Sequence, residues 1–356
     1  MSLSIVIVNR NRAFEIVQKT LDSIYPQLND SIMLTIVDYG STTEYQQKIN
    51  ALIEEKYPAI NLILCPTQGQ LFHKTRAINM VLRDCTATYF MVLDMDCIAH
   101  PEFVEKALIL ASENEVINFP YGFLKKEESK NLKAFNDYHV DFIGGLTGTA
   151  IFNTEKLQSI NGFDEFYHNW GAEDADMFDR LERIDVHTNL YQEEVLLLHQ
   201  WHEKGYRDIK SKQPFHSYLE KINHEYYTLS RKRNTTKVNI NNNWGLPCDP
   251  AAYRLLNEPV ERWEFKNYLQ EITGLLTSLV EQRVEQRVEQ PVEIRITKVL
   301  KNSKDKIKKI LNKKTKPVLD MDLVNDRLLE TIILHYRNRP YFYEYDRDLS
   351  VIKVFI

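Results

Sequence analysis

Short apolar runs rich in β-branched residues recur through the first hundred residues, and each ends in polar side chains. Residues 4–8, 34–37, 62–65 and 89–93 read as strands. Between them Phe14, Val17, Leu21 and Ile24 recur at helical spacing, and residues 71–82 predict a helix. Strand alternating with helix at this rhythm implies an α/β chain with a mostly parallel, doubly wound sheet. Ligands of such sheets bind at the carboxyl ends of the strands. At those ends stand Asn9-Arg10-Asn11-Arg12, Asp38 and Asp94-Met95-Asp96.

The rest of the chain sets limits on this reading. With 356 residues, 43% of them hydrophobic, it can build one catalytic domain of ordinary size plus an extension. A net charge of −5 from intermixed signs argues against nucleic acid as partner. Cys65, Cys85, Cys97 and Cys248 form no CxxC pair and read as reduced thiols of a cytosolic protein. No stretch reaches the roughly 18–20 apolar residues of a membrane span. The first eight residues turn polar at Asn9 without a basic start, so they read as a strand and not a signal peptide.

Near Asp141 the character changes. Gly144, Gly145 and Gly148 mark a glycine-rich turn, and a strand over 149–152 follows. Then come Asn161-Gly162-Phe163, the cluster Trp170 to Asp176, and His199-x-x-His202 after the apolar run 195–198. A catalytic domain is therefore expected over 1–245, with a mainly helical extension over 246–356. That extension carries a Val-Glu-Gln-Arg repeat starting at Val280, a narrow stripe on a helix that suits an oligomer contact or a spacer. Residues 298–316 hold nine lysines and one acid, Asp305. They read as a solvated basic helix or as a peripheral contact with an anionic membrane, which would be the inner face of the plasma membrane.

An Asp-x-Asp at a strand end points two carboxylates into one cleft, where hard oxygen ligands suit Mg²⁺ or Mn²⁺, although a solvated turn would also use Asp. His199 and His202 are two unrelated surface residues or, with Asp96, a mixed N/O set that suits Mn²⁺ better than Mg²⁺. Glu173, Asp174 and Asp176 begin a patterned run, so helix capping accounts for one or two of them. It does not account for Trp170 and Gly171 beside them: an aromatic face stacks on sugar rings and a neighbouring carboxylate can act as general base. Arg10 and Arg12 are phosphate contacts or solvated charges.

Taken in order, Asn9-Arg10-Asn11-Arg12, Phe72-His73-Lys74-Thr75-Arg76-Ala77-Ile78-Asn79, Asp94-Met95-Asp96, Gly144-Gly145, Asn161-Gly162-Phe163, Trp170-Gly171-Ala172-Glu173-Asp174 and His199-x-x-His202 resemble the β-1,4-galactosyltransferase family. They also resemble the related family-2 transferases and bacterial chondroitin-type polymerases. The resemblance spans roughly residues 4 to 205 and implies the GT-A fold, a nucleotide-binding sheet with an acceptor-binding half. It implies a UDP-sugar donor, Mn²⁺ with Mg²⁺ as alternative, a glycan or lipid-linked glycan acceptor, and a part in bacterial surface polysaccharide synthesis. Position by position, it puts Arg10, Arg12, Phe72, Lys74 and Gly145 at the nucleotide or donor, Asp38 at the uracil and Asp94 near the ribose and donor sugar. Asp96, His199 and His202 would hold the metal. Trp170, Gly171 and Glu173 would meet the acceptor, with Asp174 as catalytic base in a single, inverting displacement.

The chain departs from the pattern at several places. Tyr39 replaces a second acid, Ala172 a glycine, and Lys74 the commoner arginine. Phe142 replaces a tyrosine that limits the donor's C2 substituent. Two other functions share parts of this pattern: a scaffold on a decayed transferase domain, which the intact acids and histidines oppose, and a sugar nucleotidyltransferase, which does not need the Trp170 cluster.

Overall fold

A computed structural model describes residues 1–203, 212–241, 244–259, 261–284, 291–299 and 316–356. It divides into two compact units. The first comprises Met1–Cys65, Phe72–Lys204 and Glu220–Pro247, and the second Pro66–Leu71, Gly205–Leu219 and Cys248–Ile356.

The first unit opens with β1 (Leu3–Asn9), α1 (Phe14–Ile24), β2 (Ile32–Tyr39), α2 (Thr43–Lys56), β3 (Asn61–Cys65), α3 (Lys74–Leu82) and β4 (Tyr89–Val92). It continues through β5 (Cys97–Ala99), α4 (Phe103–Leu110), β6 (Glu115–Asn118), β7 (Tyr121–Leu124), α5 (Lys126–Lys130), β8 (Val140–Ile143), β9 (Ala150–Asn153) and α6 (Thr154–Ser159). Then follow α7 (Glu173–Glu182), β10 (His187–Leu190), β11 (Leu197–His199) and α8 (Leu219–Lys232), whose first residue belongs to the second unit.

Seven strands form the main sheet in the order β10-β6-β9-β4-β1-β2-β3. Within it β9 runs antiparallel to both neighbours, while β1, β2, β3 and β4 are mutually parallel. β1 and β2 are buried on both faces, which is why they read as unbroken apolar runs and not as alternating ones. Helices cross over between these strands, and α1 buries Val17, Leu21 and Ile24 at the spacing the sequence shows. The chain leaves β1 toward β2 on one side and returns to β4 on the other, so a switch point opens at their carboxyl ends. A smaller sheet is ordered β5-β11-β7-β8.

The second unit contains α9 (Pro250–Leu255), β12 (Glu261–Lys266), α10 (Leu269–Val284), β13 (Val292–Thr297), α11 (Met321–His335), β14 (Phe342–Asp346) and β15 (Val351–Phe355). Its strands make a sheet ordered β12-β13-β15-β14, which a reading of the extension as mainly helical did not single out. The physical reason lies in a period of two. Ile294 and Ile296, Tyr343 and Tyr345, and Ile352 and Val354 are buried while the residues between them carry charge. A split of the chain at residue 245 also missed that Pro66–Leu71 packs with this unit: Gln70 donates to the Tyr341 carbonyl at 3.0 Å, and the Leu71 amide donates to the Tyr341 hydroxyl. Most of the Val-Glu-Gln-Arg repeat and of the lysine-rich segment 298–316 lies outside the described residues. No described helix is long and apolar enough to cross a membrane, and none of the four cysteines is in a disulfide.

Candidate functional site

The Asp94-Met95-Asp96 turn links β4 to β5 and closes with the Cys97 amide on the Asp94 carbonyl. Because Cys97 pairs with His199 in antiparallel register, the chain after β11 comes back alongside Asp96, and the Gln200 amide donates to the Asp96 carbonyl at 2.8 Å. That pairing places His199 Nε2 3.5 Å from Asp96 Oδ1 and His202 Nε2 3.0 Å from Asp96 Oδ2. One ligand atom from each of the three lies within 4.8 Å of the others, so the set expected from the sequence comes together. Burial would raise the Asp96 carboxyl, but His202, His199 and Arg12 outweigh it and hold the group below the usual carboxylate range. Asp96 Oδ1 is buried without a hydrogen-bond partner, which fits a group whose remaining ligand is a cation. Two imidazoles and a carboxylate form a mixed N/O donor set for a divalent metal ion.

A second cluster gathers on the other acid of the turn. Lys74, the first residue of α3, puts its ammonium 3.2 Å from Asp94 Oδ1. Tyr121 on β7 donates to Asp94 Oδ2 at 2.8 Å and shares a 2.5 Å contact with the Thr149 hydroxyl. Asp174 on α7 faces both Lys74 and Asp94. Gly148 leaves the room for this: a Cβ there would lie 2.8 Å from Lys74 Nζ, 3.2 Å from Asp174 Oδ2 and 3.4 Å from Asp94 Oδ2. Burial opposes the Lys74 charge, yet Asp94, Asp174 and Glu173 together keep it protonated far above the ordinary lysine range. Burial also raises the Asp174 carboxyl; Lys74 pulls it back and Asp94 pushes it up. Glu173 is raised to about 7, first by burial and then by Asp174.

The loop that carries Trp170 reaches α7 through a run of left-handed backbone: Asn169, Gly171 and Ala172 have φ of 59°, 122° and 64°. Such a path turns sharply and leaves Trp170 53% exposed at the rim. Glu173 accepts from the Gly171 amide at 2.9 Å and so closes the loop on itself. Asn223, fully buried on α8, donates to the carbonyls of His168 and Trp170. The three acids in the first turn of α7 divide by role. Asp176 pairs with the fully buried Arg180 at 2.8 Å and accepts from Ser230, a structural task, while Asp174 Oδ1 is buried with no hydrogen-bond partner.

The other expected residues fall in different settings. Arg10 sits over the Phe72 ring at 5.9 Å, whereas Arg12 pairs with Asp96 at 2.9 Å and so stands at the metal set. Asp38 is fully buried, accepting from Asn9, Ser41 and Gln46, and its carboxylate orders the ends of β1 and β2. Gly145 is exposed with open space around it, and the crowding is at Gly148 instead. Phe142 stacks on Phe123 at 4.6 Å, which in turn lies 4.7 Å from the His199 ring.

Gly148 was named only as part of a turn and given no role at the site, and Tyr121 and Asn223 were not singled out from the sequence. Gly148 had a signal in its glycine-rich turn; Tyr121 and Asn223 had none. Two of the quoted motifs prove to be one structural clamp. Asn79 accepts from the Phe163 amide at 2.9 Å and donates to the Phe163 carbonyl, against a Gly162 whose Cβ would meet Asn79 Oδ1 at 2.4 Å.

Residues 4–170 match the family described as Glycosyl transferase family 2. No curated protein matches the sequence. Among solved structures, S. aureus TarS 1-349 in complex with UDP-GlcNAc is similar at 17% identity and a TM-score of 0.43, over 57% of this chain and 59% of that one. GalNAc-T7 with UDP, GalNAc and Mn²⁺ gives 12% identity and 0.48, over 64% and 48%. The mannosyltransferase PcManGT from Pyrobaculum calidifontis, in complex with GDP-Man and Mn²⁺, gives 18% and 0.43, over 80% and 81%. The chain thus spans about 60% of the TarS fragment 1-349. The family match lies almost wholly in the first unit, and it supports sugar transfer as the chemistry.

Proposed function

We propose that this chain is a metal-dependent, inverting glycosyltransferase that moves a hexose from a UDP-sugar to a glycan or lipid-linked glycan acceptor, in bacterial surface polysaccharide synthesis. The observation that carries the proposal is the convergence of Asp94, Lys74 and Asp174 on Gly148, with the Asp96, His199 and His202 set on the same turn. A nucleotide-sugar site needs a cation holder and a base, and one strand-end turn supplies the first and faces the second.

Asp96, His199 and His202 would hold Mn²⁺, which when bound supplies neutralisation of negative charge on the diphosphate. Arg10 and Phe72 form the nucleotide side, with Asp94 toward the donor sugar. Trp170 offers its exposed face to the acceptor ring, and Gly171 and Glu173 shape that loop. Asp174 takes the proton of an acceptor hydroxyl, whose oxygen bonds to the anomeric carbon as the bond to the diphosphate breaks. The attack comes from the face opposite the nucleotide, so an α-linked donor yields a β-linked product.

The test offers the protein and Mn²⁺ a panel of UDP-sugars with glycan acceptors and reads UDP release. Release with one sugar is expected, abolished by EDTA. Asp174→Asn should lower turnover by roughly 10²- to 10⁴-fold while retaining UDP–Mn²⁺ affinity. Near-normal turnover of that variant would refute the base assignment, and nucleotide transfer to a sugar phosphate would point to the nucleotidyltransferase reading.

A further inference from the structure

The two imidazoles of the metal set do not sit on a helix. His199 ends β11 and His202 lies in irregular backbone, so no helical spacing turns both rings to one side. The two residues between them are anchored instead. Gln200 is almost fully buried, and its Nε2 donates to the Ile16 carbonyl and to the Thr20 hydroxyl of α1, each at 3.1 Å. Its Oε1 is buried without a hydrogen-bond partner, so the side chain is held through that nitrogen alone. Trp201 donates its backbone amide to the Ser129 hydroxyl of α5 at 2.7 Å, and the Lys126 ammonium lies over its indole at 4.3 Å. α5 is itself tied to α1, because Lys19 donates to the carbonyls of Ser129 and Asn131.

Thr20 joins these anchors to the other half of the set. It is fully buried, and its hydroxyl donates to the carbonyl of Met95, the middle residue of the Asp94-Met95-Asp96 turn, at 2.9 Å. A hydroxyl donates once and accepts as well, so the same oxygen also takes the Gln200 bond. Further along the same face of α1, Ser23 accepts from the Ala99 amide at the end of β5 at 2.9 Å. The Gln200 backbone amide, on the Asp96 carbonyl, closes the seam between the two ligand segments directly. We propose that Thr20 and Gln200 are positioning residues of the metal set: the buried Thr20 hydroxyl locks the Asp96 turn and the His199-x-x-His202 segment to α1, and so to each other, in the register that brings one carboxylate and two imidazoles to a divalent cation. This rests on the reading of Asp96, His199 and His202 as metal ligands. Bonds one step behind a ligand orient it, and losing them weakens metal binding without removing any ligand.

The experiment compares Thr20→Val, which keeps the shape and removes both bonds, with Thr20→Ser, which keeps the hydroxyl. Mn²⁺ affinity of the full chain is read from the free-ion signal in electron paramagnetic resonance, well below the melting temperature of each variant. Affinity should fall about 10- to 100-fold in the Val variant and stay within about threefold of wild type in the Ser variant. A smaller loss in Thr20→Val, or an equal loss in both, overturns the proposal, since a purely structural threonine lowers the melting temperature and leaves this affinity alone. A second readout needs no metal. In nitrogen-15 spectra the imidazole resonances of His199 and His202, assigned by His→Gln substitution, should move in Thr20→Val while that of His187 on β10 stays. Unmoved resonances also overturn the proposal. Should Thr20→Val not fold, Gln200→Met removes the same link from the other side and keeps the backbone bond to Asp96. A wild-type chain that binds no Mn²⁺ refutes the metal reading, and the positioning role is then decided by the imidazole spectra.

Discussion

At the scale of single residues, the site depends on what is missing as much as on what is present. Gly148 is the clearest case. Its Cβ would lie closest to the flexible end of Lys74, so Gly148→Ala is expected to fold and to displace the ammonium from Asp94. Turnover should fall roughly 10- to 100-fold, the cost of a misplaced reacting group, with thermal stability nearly unchanged. A normal rate would show that the crowding is relieved without consequence. Glu173 carries a pH prediction. Its folded form binds a proton more tightly than the unfolded chain, because burial and Asp174 raise it from an ordinary 4.5 to about 7. The stability it contributes is complete below the unfolded value and is lost as pH rises through the folded one. Glu173→Gln should therefore become more stable relative to wild type across that window. Urea melts at several pH values will check this, and parallel curves would contradict it.

Among elements, α8 matters most to the site and was least visible beforehand. The loop from His168 to Ala172 takes three left-handed residues and would be expensive to hold alone. Asn223 holds it by satisfying two of its carbonyls from one buried side chain. Asn223→Ala leaves those carbonyls unpaired, at a cost of about 1–3 kcal/mol in chemical denaturation. It should also raise the acceptor KM more than the donor KM, since the loop carrying Trp170 loosens while the Asp94–Asp96 turn is untouched. Equal changes in both would assign α8 to general stability only. The helix α7 shows why a run of acids in sequence is ambiguous: Asp176 turns inward to Arg180, and Asp174 turns toward Lys74.

For the whole molecule, the chain order does not coincide with the units. Pro66–Leu71 belongs to the second unit, where Gln70 and Leu71 are almost fully buried and bonded to Tyr341. A fragment ending at Pro247 would strip these residues of their partners. Its melting temperature should fall by about 5 °C or more relative to the full chain, or the fragment should aggregate. A fragment as stable as the full chain would mean that the segment packs equally well without its unit.

The parallel α/β core was legible in residues 4 to 94 because burial on both faces demands long apolar runs, and no tertiary knowledge is needed to see them. The convergence of Asp96, His199 and His202 was legible too, through Asp96 and the His199-x-x-His202 spacing. The strands of the second unit were present as a period of two in residues 292–297 and 342–355, but the lysine run and the repeat around them drew the reading toward helices. Other features had no linear trace. That Asp38 is sealed by Asn9, Ser41 and Gln46, that Arg12 meets Asp96, and that Lys74 meets Asp94 are facts of register and crossover between distant segments. Residue types and spacings specify which elements form, because that is a local balance of burial and backbone propensity. Which charge faces which is set by how those elements pack, and there the distances of a few ångströms that govern the chemistry arise.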